Sequence, residues 1–127
     1  MKRISYQPVK VIFITLLFLI GCNQNPNSGK SDKKYKVTFI ELGSVRCIPC
    51  KMMQPVMKSV EEKYGSQVKV VFYDVWTEAG APYGQKYSIN AIPTQVFLDK
   101  EGKEYFRHEG FFPEEELIKV LKQKGVK

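Results

Sequence analysis

The sequence predicts a small α/β domain built on a central four-stranded mixed sheet flanked by helices. Apolar, β-branched runs alternate with helical stretches in the order β-α-β-α-β-β-α. The last two strand-like runs are separated only by Lys100-Glu101-Gly102, a tight turn that predicts a hairpin. The chain has 127 residues, of which 43% are hydrophobic and 13% aromatic. That composition suits one packed domain rather than disorder.

Lys36 to Leu42 (KVTFIEL) is apolar and β-branched and reads as a buried strand. Gly43 to Arg46 is a loop. Ile48 to Tyr64 reads as a helix, with Gly65 at its C-terminal end. Pro55 inside it predicts a kink, because proline removes a backbone donor and crowds the preceding turn. Met52, Met53, Val56, Met57 and Val60 form its apolar face and are assigned to the core. Val68 to Val75 reads as a second buried strand, and Glu78 to Tyr87 as a short helix with Pro82 near its start. Gln95 to Asp99 and Glu104 to Glu109 are the hairpin strands. Pro113 to Lys124 is a closing helix, with Glu114, Glu115 and Glu116 at the positive end of its dipole, read as a solvated helix start. A crossover helix between the first two strands predicts that they run parallel.

The first residues read as an address. Met1 to Lys10 is basic, and Val11 to Ile20 is apolar apart from Thr15. A helix of that length spans roughly 15 Å, about half a hydrocarbon core, which fits a signal peptide better than a membrane span. Leu19-Ile20-Gly21-Cys22 resembles a bacterial lipobox. The resemblance implies cleavage before Cys22 and lipid on that residue, and several acyl chains hold a protein stably to a bilayer. Asn23 to Asp32 is polar, with Pro and Gly, and reads as a tether. The expected organisation is therefore a lipoprotein signal peptide over 1–21, lipidated Cys22 and tether over 22–34, and a folded domain over 35–127. The location that follows is the extracytoplasmic face of a bacterial membrane.

The formal net charge is +7, and Lys2, Arg3 and Lys10 of the leader supply part of it. The other basic residues are scattered among acids rather than gathered with aromatics on one face, so nucleic acid is not an expected partner.

Cys47-Ile48-Pro49-Cys50 lies where a strand, a short loop and a helix meet. Helix N-terminal N–H groups lack partners and the dipole is positive there, so a thiolate at Cys47 is stabilised. Arg46 acts in the same direction if it points toward the sulfur. Cys50, one turn on, can close a disulfide and is the more covered of the two. The pattern assigns Cys47 as attacking and Cys50 as resolving thiol, with Pro49 stiffening the first turn. A purely structural disulfide competes with this reading, although so short a loop adds little closure entropy. A structural zinc site needs about four ligands. With Cys22 assigned to lipid and His108 the sole histidine, no metal is expected.

Cys47 to Pro55 (CIPCKMMQP) and Ala91 to Asp99 (AIPTQVFLD) closely resemble thioredoxins. The resemblance runs from about Lys36 to Lys124 and implies a thioredoxin-like fold. It is a minimal version, because tether occupies the place of the family's first strand and helix. Pro93 would be the family's cis-proline facing the disulfide, and Ile92 the residue whose backbone pairs with substrate. Glu41 stands six residues before Cys47, where thioredoxins carry a buried acid that helps deprotonate the resolving cysteine. Burial would raise its pKa and suit it to accept a proton; a strand-end side chain reaching solvent is the alternative. Arg46 replaces the family's Trp and Ile48 its Gly, changes that fall on the substrate surface. Trp76 borders the site or packs beneath it, and His108 is read as a surface strand residue.

The resemblance implies a thiol–disulfide oxidoreductase that reduces protein disulfides, needs no cofactor beyond the Cys47–Cys50 pair, and acts as a monomer. Outside the cytoplasm it would draw electrons from a membrane thiol–disulfide interchange protein. An oxidase or isomerase on the same fold, or a binding module stapled by its cysteines, are the other readings.

Overall fold

The computed structural model describes residues 34–127; the segment read as a signal peptide, Cys22 and the expected tether up to residue 33 lie outside the described residues. Val37–Gly43 forms β1, and Ile48–Tyr64 the long helix α1. Val68–Asp74 is β2, Ala81–Lys86 α2, Thr94–Asp99 β3, Glu104–Glu109 β4 and Glu114–Lys122 α3. The sheet order is β2-β1-β3-β4, with β1 and β2 parallel and the other pairs antiparallel. The mixed four-stranded sheet therefore forms as the sequence predicts.

Alternation along the strands divides the side chains between two faces. Val37 and Phe39 of β1, Val68 of β2 and Phe97 of β3 pack with Met53, Val56, Met57 and Val60 of α1 and Leu117, Val120 and Leu121 of α3. On the other face Ile40, Leu42 and Val96 pack with Tyr83, Tyr87 and Ile89 in and after α2. Phe97 centres the larger core. It stacks on Phe39 at 5.0 Å and meets Tyr105, Phe106 and Phe112 edge-on.

Four local expectations change. The β2 strand lies at the sheet edge, so only Val68 is fully covered and the rest of the strand is exposed or half-buried. Met52 points outward from α1 and is half exposed, away from the core stripe to which it was assigned. α2 starts three residues later than predicted, because the Thr77 hydroxyl bonds the Asp74 carbonyl and the Gly80 N–H and holds Thr77–Gly80 as a turn. The acids of α3 are more than a solvated start. Glu114 accepts from Lys63 at 2.7 Å and Ser59 at 2.6 Å, tying α3 to α1. These bonds, the Lys63 one foremost, hold its carboxyl below the usual range.

Candidate active site

Strand directions gather the site at one end of the sheet. Register pairs Gly43 with Asp74 and Leu42 with Thr94, and Thr94 with Glu109. The segments leaving or entering these strands therefore meet: Ser44–Cys47 after β1, Val75–Trp76 after β2, Ile92–Pro93 before β3 and Gly110–Phe112 after β4.

Cys47 is the N-cap of α1, with an extended backbone, and its sulfur accepts the Cys50 N–H at 3.4 Å. The motif thus sits on helix donors that have no carbonyl partner of their own. Pro49 occupies the first turn, where its missing N–H costs no hydrogen bond. Cys47 and Cys50 are joined as a disulfide with Cα atoms 5.2 Å apart. Cys50 is completely covered, whereas Cys47 keeps 8% of its surface. An incoming sulfur can reach only the latter.

Glu41 is wholly buried, and neither of its carboxyl oxygens has a hydrogen-bond partner. Burial pushes its pKa up to about 8, and an amide donor from Gln95 would pull it the other way. A Cβ on Gly43 would lie 3.1 Å from the Cys50 sulfur and 3.5 Å from Glu41 Oε1. The glycine therefore leaves the carboxyl and the buried sulfur flanking one small space. The alternative of a solvent-reaching Glu41 is overturned: β1 is a central strand, and α1 covers this face.

The Ile92–Pro93 peptide is cis. The Pro93 carbonyl accepts the Gly110 N–H at 2.8 Å, and the Thr94 hydroxyl bonds the Ala91 carbonyl at 2.7 Å. Ile48 is 73% exposed beside the motif. The Arg46 guanidinium lies over the Trp76 ring, 5.6 Å from its centroid, so both border the site. Arg46 is thus engaged with Trp76. Val45 and Phe111 are also exposed at this end, and with Ile48 and Trp76 they give the disulfide an apolar surround.

Several contributors were not legible as such in the sequence. Asp74 accepts from the Val45 N–H at 3.2 Å and the Trp76 N–H at 3.1 Å, and so fastens the loop before Cys47. Partial desolvation acts against its ionisation, but these N–H groups, Ser44 and Arg46 outweigh it and hold the carboxyl below the ordinary range. Gln95 is fully buried beside Glu41. Its signal was a lone amide next to the apolar run Val96-Phe97-Leu98. His108 is half-buried and stacks on Phe112 at 4.2 Å, which gives it a packing role the sequence did not show. Among the described residues no cluster of side chains suits a metal ion.

Residues 25–125 match the family model for a thioredoxin-like domain. A chloroplastic thioredoxin Y of rice (Oryza sativa) is 33% identical over 90 residues, 71% of this chain and 52% of that protein. The thioredoxin of Bacillus subtilis is 33% identical over 75 residues, 59% of this chain and 69% of the relative. The match thus spans about half the length of the rice relative. Among solved structures, the germline-specific thioredoxin Deadhead of Drosophila melanogaster aligns with TM-score 0.62 and 26% identity, over 73% of this chain and 83% of its own. A malaria parasite thioredoxin-2 aligns with TM-score 0.63 over 69% of this chain and 82% of its own; at 20% identity it speaks for the fold alone. With a Cys47–Cys50 disulfide at the head of α1 and this sheet beneath it, the chain belongs to the thioredoxin-like family of thiol–disulfide oxidoreductases.

Proposed function

We infer that this protein is a lipid-anchored, extracytoplasmic reductase of protein disulfides. The observation that carries the redox assignment is the unequal pair: Cys47 reachable at a helix N-cap, Cys50 sealed beneath it next to a buried acid. The reduced Cys47 thiolate attacks one sulfur of a substrate disulfide. A Cys47–substrate disulfide forms, and the other substrate sulfur leaves as a thiolate and takes a proton. Cys50 then gives its proton to Glu41, in those molecules whose Glu41 is ionised, and attacks the Cys47 sulfur. The mixed disulfide breaks, the substrate departs as a dithiol, and Cys47–Cys50 is oxidised. The Glu41 pKa of about 8 lies close to that of a free thiol, about 8.5, so the proton moves between nearly matched groups.

Ile48, Trp76 and Arg46 form the surface offered to the substrate, and the backbone at Ile92, before cis-Pro93, is its docking edge. Return to the dithiol requires an external two-electron donor, which we assign to a membrane thiol–disulfide interchange protein. The lipobox-like Leu19-Ile20-Gly21-Cys22 supports the anchor that would keep the domain near such a donor.

The reduction potential of Cys47–Cys50, measured by equilibration with a thiol–disulfide buffer, tests the direction. A value near thioredoxin's, about −270 mV, is expected; one near about −120 mV would make the protein an oxidant instead. The anchor is tested separately in cells fed a clickable palmitate analogue. Label on the chain, lost in Cys22→Ala, is expected, and equal labelling of both forms would end the lipoprotein reading.

A further inference from the structure

Glu41, Gln95 and His108 stand side by side across β1, β3 and β4, and cross-strand partners share one face of the sheet, here the face covered by α1. Gln95 is fully buried, where an amide needs partners for both its ends. Its Nε2 donates to the Gly110 carbonyl at 3.1 Å. That carbonyl can only accept, so the hydrogen-bond network fixes which end of the amide lies there. The other end, Oε1, is buried without a partner. So are both oxygens of Glu41, the residue paired with Gln95 across the strands. An ionised Glu41 would leave three buried acceptors on paired residues of neighbouring strands without a donor. One proton on Glu41 removes the conflict, because its O–H then has Gln95 Oε1 to bond.

We propose that Gln95 is a positioning residue whose side-chain oxygen accepts a hydrogen bond from protonated Glu41, holding that acid in its proton-carrying form beside Cys50. This deepens the reading of Glu41 as the proton acceptor and rests on it. Gln95 is locked to Gly110, and Gly110 to the carbonyl of cis-Pro93. The amide thereby connects the acid's proton to the segment before β3. A Gln95 amide that lowers the Glu41 pKa is one with Nε2 turned toward the carboxylate; that arrangement would strip Gly110 of its donor, and the bond to Gly110 decides against it. The other titratable and charged groups at this end are the Cys47–Cys50 pair from α1, Arg46 from the loop, Asp74 from the end of β2 and His108 from β4. From α3 the core receives only Leu117, Val120 and Leu121.

The sign of one shift decides the matter. The titration of Glu41 is followed by side-chain carboxyl carbon NMR in the oxidised full chain, for wild type, Gln95→Leu and Gln95→Met. Near-ultraviolet circular dichroism identifies the variants that keep the fold. Loss of an acceptor for the Glu41 O–H lowers the midpoint, by about one pH unit. A rise, or no movement, overturns the proposal. Wild type alone supplies a second reading, independent of any variant. The Gln95 side-chain carbonyl carbon should follow the Glu41 midpoint while its Nε2 protons do not, and the reverse pattern overturns the proposal. Glu41→Gln turnover separates this from the reading beneath it. An unchanged pH–rate profile there removes Glu41 from the mechanism, whatever Gln95 does to its titration.

Discussion

At the residue scale, Glu41 sets how this protein responds to pH. Its folded pKa lies at about 8, against an ordinary value of 4.5. Between those limits the unfolded chain ionises while the native carboxyl keeps its proton. Stability therefore declines as pH rises through that window, at about 1.4 kcal/mol per pH unit from this group. Below the ordinary value both states are protonated and the loss is absent. In urea unfolding of the oxidised protein, Glu41→Gln is expected to gain on wild type by that slope up to pH about 8, then level off. Parallel stability profiles for the two proteins would mean that Glu41 is not held neutral. None of this follows from Glu41's place in the chain alone. A carboxylate in KVTFIEL could have reached water; it does not, because β1 has strands on both sides and a helix over this face.

At the scale of elements, the β2–α2 junction controls the loop that presents Cys47. Asp74 ends β2 and takes N–H groups from Val45 before the motif and Trp76 after the strand. Trp76 in turn carries Arg46. Asp74→Ala should lower the melting temperature and speed amide hydrogen exchange at Val45 and Trp76 while the strands stay protected. Unaltered exchange at those two amides would show that the loop is held by other means. Because the Asp74 carboxyl is held below its ordinary range, its support persists at neutral pH and fades only as pH falls through that depressed value. The α1 start was easier to foresee. Proline in the first turn and cysteine at the cap follow from which helix positions need no N–H partner.

Across the whole molecule, one aromatic side chain joins both halves of the larger core. Phe97 of β3 touches Phe39 of β1, Tyr105 and Phe106 of β4, and Phe112 in the segment leading to α3. Phe97→Ala should cost roughly 3–5 kcal/mol in chemical denaturation, with a cavity no neighbour can fill. A cost below about 1 kcal/mol would show that the core closes around the gap. The Phe112 N–H also points at the Met53 sulfur, 3.3 Å away, so this core continues directly beneath α1 and the disulfide it carries.

The sequence by itself determined the element order, the parallel β1–β2 pair, the antiparallel β3–β4 hairpin, and the pairing of Cys47 with Cys50. Each depends on residues close together in the chain: strand alternation, a three-residue turn, and a cysteine one helical turn from the next. Glu41 and Pro93 were legible only through the resemblance of their surrounding motifs to a family. Tertiary structure decided the rest. That β2 is an edge strand, that Met52 faces out, that Asp74 fastens the loop and that Gln95 stands against Glu41 all depend on which strands become neighbours. Register and burial are set by packing between segments far apart in sequence, and local pattern does not carry them.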